Sequence, residues 1–125
     1  MKSIRLDENW LCIIGKNRKE NWKILEDTQK EINKELKEET TNNVFFFHLS
    51  SFPSCFVILK SKEKISDHPG IEIIKKASLI CLENTKYKNL NNIYVDYTNI
   101  SNVKKTENVG EIEYISLRKV FKIKV

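Results

Sequence analysis

The chain has 125 residues, of which 40% are hydrophobic and 31% charged, with a formal net charge of +5. That is enough for one domain, residues 1–125, with a modest core, and the composition is that of a soluble globular chain. No apolar run approaches the roughly 20 residues that span a bilayer, and Met1-Lys2-Ser3-Ile4-Arg5 lacks the apolar stretch of a secretion signal, so no membrane partner is expected and the expected location is the cytosol, with the nucleus as the alternative.

The basic pI of about 9.1 permits an anionic partner without requiring one. Lysine supplies most of the positive charge, since arginine occurs only at Arg5, Arg18 and Arg118. Asn and Ile are abundant too, the mark of AT-rich coding, so part of the lysine excess is compositional drift.

Taken in chain order, Ser3 to Leu6 and Trp10 to Ile14 read as two short strands turned by Asp7-Glu8-Asn9. Asn17 and Glu20 are spaced as a capping box, in which a short polar side chain takes an N3 amide and the N3 acid reaches back. A helix follows from Arg18 to about Lys37, with Trp22, Leu25, Ile32 and Leu36 on one stripe. Glu38 to Asn43 is a polar break.

Val44 to His48 and Cys55 to Lys60 are strands around a Ser/Pro corner. Alternation sends Phe45 and Phe47 to one face and Val44, Phe46 and His48 to the other. One face is a candidate core, and the second carries an aromatic ring beside an imidazole. Pro69-Gly70 opens a second helix, Ile71 to Glu83, whose apolar face holds Ile74, Ala77, Ile80 and Cys81. His68 reads as a helix-start residue. Ile93 to Tyr97 is a strand, Asn99 to Asn108 a polar loop with Lys104-Lys105, and Glu111 to Ser116 with Lys119 to Val125 a closing hairpin. Strands grouped around two main helices predict an α+β fold with a mixed or antiparallel sheet of about six short strands.

Four stretches, in order, resemble one family. Gly15-Lys16-Asn17-Arg18-Lys19-Glu20-Asn21 is similar to an early Gly-basic-Asn-x-x-Glu-Asn motif. Phe46-Phe47-His48, followed by Pro53-Ser54-Cys55, is similar to a Trp-Phe-His and Pro-x-Ser-His-Val signature. Tyr94-Val95-Asp96-Tyr97-Thr98 with Val103-Lys104-Lys105, and Gly110-Glu111-Ile112 with Arg118-Lys119-Val120, match the closing motifs. The family they resemble is NFACT-R, the nucleic-acid-binding domain of ribosome-associated quality-control proteins, found also in small eukaryotic relatives that add a coiled coil. Val44 stands where the family has an acid, Phe46 replaces its Trp and Cys55 its second His, so this segment supplies no acid to His48.

The resemblance implies RNA, favoured over DNA, as the partner, in a translation setting that includes tRNA or the ribosome. Its contact set on this chain is Lys16, Asn17, Arg18, Lys19, Asn21, Phe46, His48, Ser50, Ser54, Lys104, Lys105, Arg118 and Lys119. The residues themselves leave a structural and a functional reading open at each place. Phe46 either packs in the core or stacks on an unpaired base. His48 is either a satisfied strand histidine or a ligand contact. The Ser50, Ser51 and Ser54 hydroxyls are turn groups or ligand contacts. Lys16 to Lys19, at a helix N-terminus, either decorate a surface or hold a phosphate. Lys60 to Lys64 is most simply a solvated surface, and lysines alternating along Phe121 to Val125 could just as well blunt a sheet edge.

Cys12, Cys55 and Cys81 are widely spaced in apolar runs and read as buried free thiols, not as a disulfide framework or zinc site. A Cys55–His48 dyad would need an exposed, activated thiol. No catalytic residue, cofactor or metal is expected. A protein-interaction adaptor with incidental charge, and a DNA-binding module, are the rival functions.

Overall fold

A computed structural model describes residues 2–35, 44–50, 52, 54–61 and 69–125, with side chains for all of these except residues 32–35. The expected helix end near Lys37, the polar break to Asn43, Ser51, His68 and Lys62 to Lys64 lie outside the described residues.

Strands β1 (Lys2–Arg5) and β2 (Trp10–Ile14) precede helix α1 (Arg18–Glu35). Strands β3 (Val44–Leu49) and β4 (Val57–Ser61) precede helix α2 (Ile71–Glu83). Strands β5 (Tyr94–Asn99), β6 (Val103–Lys105), β7 (Ile112–Tyr114) and β8 (Phe121–Lys124) complete the chain. Six strands form one antiparallel sheet in the order β1-β2-β4-β3-β5-β8, and β6 and β7 form a separate ribbon. The fold is α+β, as the spacing of elements predicts.

Local chemistry sets the entry points. The Asp7 carboxylate accepts from the Asn9 and Trp10 amides at 2.7 and 2.9 Å, an Asx turn that reverses β1 into β2. The Glu20 amide donates to Asn17 Oδ1 at 3.0 Å, and the Glu20 carboxylate accepts from the Lys16 amide at 3.4 Å. The capping box therefore forms, with the acid reaching one residue beyond the cap. Gly70 caps α2 through backbone geometry, without a side-chain bond.

Strand β3 lies at the centre, between β4 and β5. Its Phe45, Phe47 and Leu49 pack with Trp10, Cys12, Ile14, Val57, Leu59 and Val95 beneath Ile74, Ala77, Cys81 and Leu82 of α2. Its Val44 and Phe46 pack on the other face with Phe56, Ile58, Ile100 and Val103 beneath Ile24 and Leu25 of α1. The alternation is as expected, but both faces are core. A strand covered on both sides needs apolar side chains at successive positions, which is why Val44-Phe45-Phe46-Phe47 is a continuous apolar run.

The closing hairpin is not formed. β7 pairs with β6, placing Val103 opposite Tyr114, and β8 crosses to the free edge of β5. Lys104 and Lys105 consequently lie in a strand instead of a loop. The buried Asn102 side chain holds this arrangement, accepting from the Ser116 amide at 2.8 Å and donating to the Ser116 carbonyl at 2.9 Å. Thr98 Oγ1 donates to the Lys119 carbonyl at 2.7 Å, fixing the turn that launches β8.

Candidate nucleic-acid interface

Register across β3, β5 and β8 stacks three rows on the sheet face that α1 covers. Phe46 lies opposite Thr98, and both are buried. His48 lies opposite Asp96, which lies opposite Lys122. Ser50 follows, its amide donating to the Tyr94 carbonyl at 2.9 Å, and Tyr94 lies opposite Lys124. The rows pass from core to solvent: Phe46 is fully buried, His48 half-buried and Tyr94 exposed.

The middle row is polar. Lys122 Nζ donates to Asp96 Oδ1 at 2.7 Å and to Ser50 Oγ at 2.5 Å. Asp96 is buried whereas the Lys122 side chain is 57% exposed, so the lysine caps a buried carboxylate with its outer side to water. The segment before His48 supplies no acid, but the neighbouring strand does, through Asp96. The Tyr114 hydroxyl is buried with no partner in hydrogen-bonding geometry. Burial, with the Asp96 charge beside it, pushes its pKa up.

The His48 ring is stacked with Phe46 at 6.2 Å and meets Phe56 edge-on at 5.7 Å. Burial lowers its pKa, against opposing pulls from a hydrogen bond to the Leu49 backbone and from Asp96. His48 is therefore neutral at pH 7, a group that hydrogen-bonds instead of pairing with phosphate. The folded protein holds this proton less tightly than the unfolded chain, whose imidazole titrates near about 6.5. The stabilisation is complete above that value and is lost as pH falls below it. His48→Gln should accordingly flatten the decline in Tm between about pH 7 and pH 5; an unchanged decline would show that His48 has an ordinary pKa.

The N-terminus of α1 abuts this corner. The Gly15 amide donates to the Phe56 carbonyl at 3.0 Å, and the Phe56 amide donates to Asn21 Oδ1 at 3.0 Å. Asn21 is buried, so its expected ligand contact is corrected: it satisfies a buried strand-edge amide that water cannot reach. Lys16, Asn17, Arg18 and Lys19 are exposed. The Arg18 stem lies on Gly110, where an added Cβ would sit 2.9 Å from Arg18 Cγ. Gly110 has φ +85°, so the β6–β7 turn both needs glycine and borders the basic helix end.

Three more expectations change. Phe46 is 0% exposed, packed against Phe56, Tyr114 and Ile24, and cannot be a stacking platform. Ser54 Oγ accepts from the Leu49 amide at 3.0 Å and donates to the Cys55 carbonyl at 3.0 Å, so it serves the turn. Lys105 Nζ lies 3.0 Å from Glu26 and 5.1 Å from the Trp22 ring, tethering β6 to α1. Lys104 is 66% exposed, 3.8 Å from Glu113 across the ribbon. Arg118 and Lys119 are exposed on the turn before β8.

Sequence reasoning missed Tyr94, Asp96, Tyr114, Lys122 and Lys124. The alternation in β8 was the available signal for the two lysines, but it reads equally as edge protection. Pairing with β5 decides that they flank His48.

Cys12 and Cys55 pack under α2, which carries Cys81. Burial pushes the Cys12 thiol up to about 12. Cys55 Sγ lies 3.6 Å from the Cys81 carbonyl, and the contact with Cys55, together with burial, holds the Cys81 thiol well above its usual pKa. His48 faces the other side of the sheet, so no Cys55–His48 dyad forms. Among the described residues there is no group of three metal-ligating side chains, and no helix is long and apolar enough to cross a membrane.

These features define an α+β domain in which one antiparallel sheet is covered on both faces and ends in a polar, cationic corner. Neither a family model nor a curated protein matches the chain. Among solved structures it is similar to the C-terminal part of the fibronectin/fibrinogen-binding protein from Streptococcus suis, with a TM-score of 0.69 and 17% identity. The match covers 93% of this chain and 41% of that one, and at this identity it shows the fold alone.

Proposed function

We propose that the chain is a non-catalytic nucleic-acid-binding domain for structured RNA, such as tRNA or ribosomal RNA, in a translation quality-control setting. The observation that carries this reading is the row His48–Asp96–Lys122 at the point where α1 and the β6–β7 ribbon stop covering the sheet. Lys122 closes the row on one side, with Lys124 in the next row beside it. Lys16, Arg18 and Lys19 stand on the other, beyond Phe56. Lysines so placed position a phosphate backbone without reading sequence. Neutral His48 adds a hydrogen-bonding group for a base or ribose. The four NFACT-R-like motifs support the same partner: of their residues, Lys16, Arg18, Lys19, Lys104, Arg118 and Lys119 stay exposed and His48 is half-buried.

Binding of total tRNA, a DNA duplex and a single-stranded RNA across a salt series tests the reading. The log–log slope should be steep, and Lys124→Ala should flatten it by about 0.7 on single strands and about 0.9 on duplex, whereas Lys122, already paired with Asp96, should count for less. Lys105→Ala should change it little, because that charge already faces Glu26. Weak binding to all three, indifferent to salt, would refute the proposal.

A protein-binding adaptor is the second reading. Ile115, Leu117 and Phe121 are 67%, 79% and 57% exposed, close in sequence around the start of β8. A partner held there would be insensitive to salt and lost on Leu117→Ser.

A further inference from the structure

With Phe46 buried, the nucleic-acid reading lacks an aromatic surface for an unpaired base, and the outermost row of the same sheet face provides one. Tyr94 is 46% exposed. It lines an open cleft of about 170 Å³ with Ser50, Phe52, Asn92, Ile93 and Lys122. The cleft is smaller than the about 300–1,000 Å³ of sites that enclose a whole small molecule, but it can admit one planar ring. Asn92 brings an exposed amide to the rim and has φ 60°, a left-handed conformation that Asn tolerates better than most side chains. Lys122 and Ser50, joined at 2.5 Å, form a polar wall beside the aromatic ring. Lys124, opposite Tyr94 in the register, places a cation next to the opening.

We infer that this cleft receives a single unpaired nucleobase of RNA, stacked on Tyr94, with Asn92 at the polar edge of the base and Lys122 and Lys124 on the adjoining phosphates. The inference rests on the nucleic-acid reading and adds a site to it. An aromatic ring exposed on a sheet face, between a hydroxyl and a row of lysines, suits a base because every base offers a π-face and carries a phosphate beside it. A duplex keeps its bases stacked inside, so the cleft selects loops, bulges and ends.

The test compares a short single-stranded RNA with the same strand made abasic at every position, at one salt concentration. The intact strand should bind about five- to 150-fold more tightly, the range of one stacked base. Tyr94→Ala should erase that ratio while leaving the salt slope unchanged, and Tyr94→Phe should preserve it. Unaltered binding by Tyr94→Ala, or equal binding of intact and abasic strands, overturns the inference and leaves the electrostatic reading standing. If the unsubstituted protein binds neither strand, both fall together. Because Tyr94 is half exposed, Tyr94→Ala should fold, and its Tm reports whether it has.

Discussion

Phe46→Ala should lower the stability of this protein by about 3–5 kcal/mol, the range for deleting a fully buried aromatic ring. The ring has no exposed surface. Phe56 meets it edge-on at 5.0 Å, Tyr114 at 6.4 Å, and His48 lies stacked beside it at 6.2 Å. Truncation removes the apolar transfer energy and leaves a cavity at the centre of the sheet, with helix α1 and β4 fixed on one side and the β6–β7 ribbon on the other. Collapse into that space would require several elements to move together. Urea denaturation followed by tryptophan fluorescence measures the loss. Phe46→Leu, which keeps most of the volume, should lose less than half as much. The competing picture, a surface ring that stacks on bases, gives the reverse pattern: near-native stability and weakened RNA binding. A loss below about 1 kcal/mol would therefore favour that picture over a core role.

Gly15→Ala should be nearly as damaging, at about 3 kcal/mol, although it adds a single methyl group. A Cβ at this position would lie 2.3 Å from Asn21 Oδ1, 2.8 Å from the Asn21 amide nitrogen and 2.9 Å from its Cα. Two of these three atoms are backbone in the first turn of α1, so a rotamer change cannot relieve the clash. If the helix is pushed away, Asn21 Oδ1 withdraws from the buried Phe56 amide, and an unsatisfied buried donor adds about 1–3 kcal/mol. Asn21→Ala alone should give that second part. The double substitution Gly15→Ala/Asn21→Ala should lose less than the sum, because the two share one contact. Thermal unfolding of the three variants checks this. Additive losses would show that Gly15 and Asn21 act independently.

Both results bear on function. Phe56 links the two places: its backbone holds the α1 N-terminus and its ring abuts His48. Gly15 and Asn21 thus act on Lys16, Arg18 and Lys19 by positioning them and not by touching a ligand. The motif Gly15 to Asn21 mixes two kinds of residue. Gly15, Asn17, Glu20 and Asn21 build the helix start, and Lys16, Arg18 and Lys19 remain for a partner.

Much of the architecture was legible from local chemistry. The capping spacing of Asn17 and Glu20, the Asp7 turn, Pro69-Gly70 ahead of α2 and the alternation in β3 each depend on neighbours within a few residues. The closing region was not legible. Val103-Lys104-Lys105 and Ile112-Glu113-Tyr114 are too short to show a period, and Phe121 to Val125 would suit several partners equally. The choice among them rests on Asn102, whose side chain bonds to Ser116, fourteen residues away. No local pattern announces such a contact.

The same division holds at the candidate site. The sequence by itself determined which side of β3 carries Phe46 and His48, because a strand's period of two is intrinsic to its backbone. It also determined the basic helix start, because capping depends on spacing alone. Only the tertiary structure decided that Phe46 is core, that Asp96 stands beside His48, and that Lys122, Lys124 and Tyr94 join them. Burial and cross-strand neighbours are set by which strands pair, and pairing is a property of the whole sheet: it is fixed by the summed packing of both faces, to which no single segment holds the key.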